Sequence, residues 1–186
     1  MSLVQISPPA GAVIALEDIK AHLRVLHNDD DALIATIINA ATRALETRSG
    51  LSFLTQRWRV SMDTPPRDDY SFPIGPVSSV EAVSVVGGDG VAQLIDPQRY
   101  IHTTGLAARL RVRESWPRPG VSLNGIQIEF TTGYGDAVDI PAPIIQAIKI
   151  LTGHYYETRE VTSQERIFAV PHTVDVLLAP YREIRL

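Results

Sequence analysis

The sequence predicts an α+β fold: a helical bundle with an inserted β-rich lobe of about five or six short strands, followed by a C-terminal tail. Three observations predict it. Apolar residues recur at helical spacing near both ends of the chain, the period falls to two in between, and glycine and proline punctuate that middle region at short intervals. With 186 residues, 45% of them apolar, the chain is long enough to bury a substantial core. Its 13 prolines and 12 glycines are spread without a repeat, which excludes a collagen-like or coiled-coil design.

The first helix is predicted over Leu16–Val25, where Leu16, Ile19 and Leu23 share a face, Ala12 and Ala15 lead in, and Glu17 and Asp18 suit the dipole of the first turn. A second, stronger signal follows the acidic run Asn28–Asp31. Leu33, Ile34, Ile37, Ile38, Ala41, Ala44 and Leu45 form its apolar stripe, and Gly50 is the expected stop. Asn28–Asp31 supplies side-chain oxygens to cap its free N–H groups. Either Ile37 or Ile38 should face a third helix.

From Leu54 onward, Trp58, Val60 and Met62 alternate with Arg57, Arg59 and Ser61, the pattern of a strand with one dry face and one wet face. Pro65, Pro66 and the stretch Phe72–Pro76 break the chain. A β-branched run from Val77 to Val85 then ends at Gly87-Gly88-Asp89-Gly90, a hairpin signal. Further strands are expected at Val91–Ile95, Tyr100–Thr103, Ala108–Val112 and Ile126–Thr131. Helical period returns after Asp139, with Pro141 and Pro143 in the first turn and Ile144, Ile145, Ile148, Leu151 and Tyr155 on one face, which should pack on the Leu33–Leu45 stripe. Glu157–Arg166 reads as a polar linker, and a short helix around Val174, Leu177 and Leu178 lies between Pro171 and Pro180. The expected division is therefore a discontinuous bundle of residues 1–55 and 137–163, a β lobe of residues 56–136, and a C-terminal segment of residues 164–186.

Charge and motif content narrow the chemistry. Twenty-one acidic residues against 17 basic ones give a net charge of -4, unlike a protein built mainly to grip phosphate backbones. The absence of cysteine removes disulfides, thiolate metal sites and cysteine nucleophiles and fits a reducing compartment. The first twenty residues lack a charged region ahead of an apolar stretch, so a soluble, unexported chain is expected. Asp29-Asp30-Asp31 does not alternate as calcium-loop ligands do, and the five histidines never pair at helical spacing. No G-x-S-x-G occurs, and the Gly87–Gly90 loop lacks the Lys-Ser/Thr of a phosphate loop. The sequence thus assigns no catalytic residue, metal or cofactor. Two arginine ribbons, Arg57/Arg59 and Arg109/Arg111/Arg113, alternate along strands and read as wet sheet faces, with nucleic-acid contact the rarer alternative. Two rival functions remain: a hydrolase whose carboxylate pair carries no local signature, and a β-rich ligand-binding module.

Four stretches carry a family resemblance in order: LEDIKAHLRVLHNDDDALIATIINAATRALETRSGLSFLTQRWRV, FPIGPVSSVEAVSVV, IEFTTGYGDAVDIPAPIIQAIKILTGHYYETRE and VPHTVDVLLAPYR. The chain resembles the head-tail connector adaptors of long-tailed phages and gene transfer agents. The E-x-x-x-G ending at Glu46–Gly50, the T-Q-x-W strand at Thr55, Gln56 and Trp58, and the Tyr156-Glu157-x-Arg159 helix end are its structural signatures; Val86–Leu123 is less distinctive. The resemblance implies a structural protein of the virion neck, made in the bacterial host cytoplasm, monomeric when alone and assembling as a homo-oligomeric ring, commonly of about twelve copies. Its partners would be the portal protein on one side and a head-closure (stopper) or tail-completion protein on the other. DNA would cross the lumen without specific binding, and no membrane would be involved. The C-terminal segment, with Val174, Leu177, Leu178, Tyr181, Arg182, Ile184 and Leu186, is the expected portal-docking element, because these residues return after a polar linker in a piece too short to build a core of its own.

Overall fold

The computed structural model describes residues 1–158 and 171–182. It has four helices and two antiparallel sheets, arranged as two compact units. One unit takes residues 1–10 and 54–134; the other takes residues 11–53 and the described residues from 135 onward.

The helical unit holds α1 (Leu16–Leu23), α2 (Asp31–Ser49), α3 (Ala142–Glu157) and α4 (His172–Leu178). Helix α1 stops two residues before the expected end, because Arg24 turns left-handed and the N–H groups of Arg24 and Val25 close onto the carbonyls of Ala21 and Lys20. Val13 and Ile14, not Ala12 and Ala15, lead its core contacts. Helix α2 runs over the predicted stripe, with Ile34, Ile38, Ala41 and Leu45 buried while Leu33 is exposed and Ile37 half-exposed. Gly50 ends α2 at φ 69°, a conformation that costs glycine little, and its N–H reaches the Glu46 carbonyl at 2.9 Å. As the stripe predicts, α3 packs on α2 and buries Ile144, Ala147, Ile148 and Leu151.

The Glu46–Gly50 signature has a physical reason. Glu46 is buried, and its Oε1 accepts the Phe53 N–H at 2.9 Å while Oε2 accepts from Arg43 at 3.2 Å. The carboxylate thereby holds the chain as it leaves the helix, and its burial is offset by a backbone donor and a cation.

The β unit contains β1 (Ser2–Ser7), β2 (Gln56–Met62), β3 (Tyr70–Ser71), β4 (Val77–Val86), β5 (Ala92–Leu94), β6 (Tyr100–His102), β7 (Arg109–Val112) and β8 (Ile126–Thr132). Five form a sheet in the order β1-β2-β8-β4-β5, and three a sheet in the order β3-β7-β6. Strand β8 is central, with Trp58, Phe130 and Val80 aligned across β2, β8 and β4. The predicted hairpin forms: Gly87 N–H bonds to Val91 C=O at 2.9 Å, and Asp89 Oδ1 accepts the Val91 N–H at 3.0 Å. Gly120 passes so close to this turn that a methyl group there would collide with the backbone of Gly87 and Gly88. Both sheets feed one core in which Val60, Phe72, Leu110, Ile128 and Phe130 are buried.

One expected boundary changes. The sequence pattern places residues 1–10 in the bundle, but β1 pairs antiparallel with β2, aligning Leu3 with Val60 and Gln5 with Trp58, so they belong to the β unit. The Gln5 side-chain amide also donates to Oε1 of the buried Gln56 side chain.

Candidate partner-binding surfaces

The expected docking segment is largely occupied by its own fold. Val174 and Leu178 lie fully buried in the helical unit, where α4 packs on α3. This corrects their placement in a free docking surface: seven residues of helix suffice to direct two aliphatic side chains onto a neighbouring helix, so this short piece completes a core instead of needing another chain to bury it. Leu177 and Tyr181 are half-buried, and Val176 on the outer face is 57% exposed. Arg182 is ion-paired at 2.9 Å with Asp175. Ile184 and Leu186 lie outside the described residues, as does most of the Glu157–Arg166 linker.

Asp175 fastens α4 to α2. Arg48, in the last turn of α2, grips it with Nε and Nη2 at 2.8 Å each, a bidentate fork, and Arg182 adds the third contact. The Arg48 hydrogen bond, helped by Arg182, pulls the carboxyl down to about 2 from an ordinary value of 3.8. Because the folded-state value is the lower one, the stabilisation is complete above about pH 4 and is lost as pH falls through about 2. Asp175→Asn should therefore melt below the wild-type protein at neutral pH, with the two melting temperatures converging by about pH 2; a constant difference across that range would disprove the ion-pair account.

The acidic run before α2 does tertiary work in place of capping. Asp30 stands at the N-cap position with no side-chain cap bond and accepts the Tyr156 hydroxyl at 2.6 Å, tying the end of α3 to the start of α2. Asp31 pairs with Lys20 of α1 at 2.6 Å, and the same ammonium reaches Asn28 at 2.6 Å. Tyr156 in the helix-end signature thus has its partner across the bundle. No group of three or more metal-ligating side chains occurs among the described residues.

The two arginine ribbons, alike in sequence, differ in the fold. On the five-stranded sheet, Arg59 binds Glu129 at 2.6 Å and Arg57 reaches the same carboxylate at 3.4 Å. Nearby Glu81 accepts from Ser79 at 2.6 Å and Thr131 at 2.8 Å, which lowers its pKa. On the three-stranded sheet, Leu110 and Val112 point into the core while Arg109, Arg111 and Arg113 face out. Arg111 is held by Asp69, through Nε to Oδ1 and Nη2 to Oδ2, and the pair lowers the Asp69 pKa. Two shallow clefts flank this pair, one of about 620 Å³ reaching Arg67, Trp116 and Arg118, the other of about 330 Å³ reaching Ile101, His102 and Arg109.

Against known proteins, residues 13–86 match the family described as phage gp6-like head-tail connector protein, a span running from the lead-in of α1 through β4. No curated protein matches the chain. Among solved structures, a chain from the neck of an empty gene transfer agent (GTA) particle, computed with C6 symmetry, superimposes with a TM-score of 0.85 at 23% identity, covering 100% of this chain and 97% of that one. A chain of the virion of a native GTA particle gives 0.82 at 24% identity with the same coverage. The neck of the native particle, computed with C12 symmetry, gives 0.81 at 23%, again over 100% and 97%. The chain therefore shares the fold of these particle chains, and no helix among the described residues is long and apolar enough to cross a membrane.

Proposed function

We propose, from the connector-family match over residues 13–86 and the shared neck fold, that this chain is a structural virion protein: a head-tail connector adaptor that forms a ring with DNA passing through its lumen. One observation carries the reading. The superposition uses 100% of this chain and 97% of the neck chain, so the α-helical unit and the β unit are both accounted for by a single architecture. The matched neck structures, one computed with C6 and one with C12 symmetry, support a ring in the particle neck. A cyclic ring needs a heterologous interface, two different patches of one chain meeting around a closed circle.

On this reading the partners are the portal protein and a head-closure or tail-completion protein, and the chain works by binding and not by catalysis. The residues left for portal docking in the C-terminal segment are those the core does not consume: Leu177 and Tyr181, with Ile184 and Leu186 beyond the described residues. Alone, the chain is monomeric, and the portal acts as the template on which the ring closes. Quantitative mass spectrometry of purified particles tests the reading. An adaptor is present at a small fixed copy number in every particle, whereas a chain absent from particles, or present in variable amounts, is not an adaptor.

A further inference from the structure

We infer that the outer face of the three-stranded sheet is the surface on which the DNA backbone runs, and that Arg109 and Arg113 are its principal phosphate contacts. This rests on the connector reading above, which supplies the DNA, but the assignment of the face comes from charge placement in the fold. The chain as a whole is acidic, so any contact with a polyanion must come from a local surplus of cations. Of the two arginine ribbons, the one on the five-stranded sheet offers none, because Arg57 and Arg59 share Glu129 and Glu81 adds a second carboxylate acting on Arg57.

The three-stranded sheet is different. Backbone pairing sets Arg99 beside Arg113, Ile101 beside Arg111 and Thr103 beside Arg109, so four guanidinium groups share a patch with three carboxylates, Asp69 and Asp68 beside Arg111 and Glu114 at 3.9 Å from Arg99. Arg109 and Arg113 have no ion pair among the described residues, and both are exposed. Alternate residues of a strand lie about 6.8 Å apart, which matches two base-pair steps of about 3.4 Å along one DNA strand. Arg109 and Arg113, four residues apart, thus stand about 14 Å from each other and can meet phosphates about four steps apart on one strand with their forked donors. Exposed Ile101 and half-buried Trp116 line the clefts beside these arginines, so an acidic protein anchored on them is the rival occupant that the test separates from DNA. Two cations outside any ion pair, one of them in the field of Asp69, make a weak grip, which suits DNA that must slide.

The test is fluorescence anisotropy of a labelled duplex of about 30 base pairs with the full-length chain, over a series of salt concentrations. Binding is expected at low salt, with log affinity falling against log salt at a slope between about -2 and -4, as for two to four phosphates neutralised. The double substitution Arg109→Gln with Arg113→Gln should weaken binding at least about tenfold and flatten the slope by about 2, while Arg57→Gln with Arg59→Gln leaves both nearly unchanged. Both side chains of the first pair are exposed, so its melting temperature should match wild type. No binding at low salt, an Arg109/Arg113 variant that binds like wild type, or a polyglutamate chain that outcompetes the duplex would each overturn the inference, the last by pointing to an acidic protein instead. The connector reading fails separately, on particle composition.

Discussion

Replacing Phe130 with alanine should lower the stability of the protein by about 3–5 kcal/mol, a large part of what a domain of this size possesses. Phe130 sits in the central strand of the five-stranded sheet, fully buried, with β2 on one side and β4 on the other. Its ring centroid lies 4.8 Å from that of Phe72, which in turn meets Tyr70 edge-on at 5.2 Å. Truncation therefore removes the transfer energy of a phenyl group and leaves a cavity that two paired strands prevent from collapsing. Urea unfolding followed by circular dichroism measures the loss; a change under about 1 kcal/mol would show that this core is not packed as described.

Deleting residues 171–186 should destabilise the helical unit by about 3–6 kcal/mol, the burial energy of two full aliphatic side chains. Val174 and Leu178 are both completely buried, and the Asp175 fork with Arg48 goes with them. The expected result is a lowered melting temperature and reduced helical signal. An unchanged melt would return the segment to the status of a free docking arm. Loss of portal binding on such a deletion would say little about docking, since the fold itself is damaged. Substitution of Tyr181, half-buried at the end of the described chain, is the cleaner probe of contact with a partner.

Legibility from sequence followed how strongly each residue's neighbours were local. Helices α2 and α3 and the strands β2, β4 and β8 declare themselves, because their buried faces repeat at the period of their own backbone. Strand β1 does not: Val4 and Ile6 point outward, and its partner lies more than fifty residues away, so Ser2–Ser7 carries no one-sided pattern that separates it from a loop. Strand β3, two residues long, is too short for any period. The acidic run Asn28–Asp31 reads as capping because caps are local, whereas its actual partners, Lys20 and Tyr156, are brought to it by tertiary packing. The same limit applies to the arginine ribbons. Alternation reveals that each faces solvent, but only the fold shows that Glu129 and Glu81 offset Arg57 and Arg59 while Arg109 and Arg113 form no ion pair among the described residues. Apolar content alone also misread Val174 and Leu178, since a short helix looks partnerless until the bundle it closes is seen.

The measurement that bears most directly on the function is electron microscopy of the full-length chain mixed with its portal protein. The connector reading predicts a ring of this chain seated coaxially on the portal, with a central opening wide enough for duplex DNA and no ring in the absence of the portal. A chain that stays apart from the portal at micromolar concentrations, or that decorates it without forming a closed ring, would contradict it.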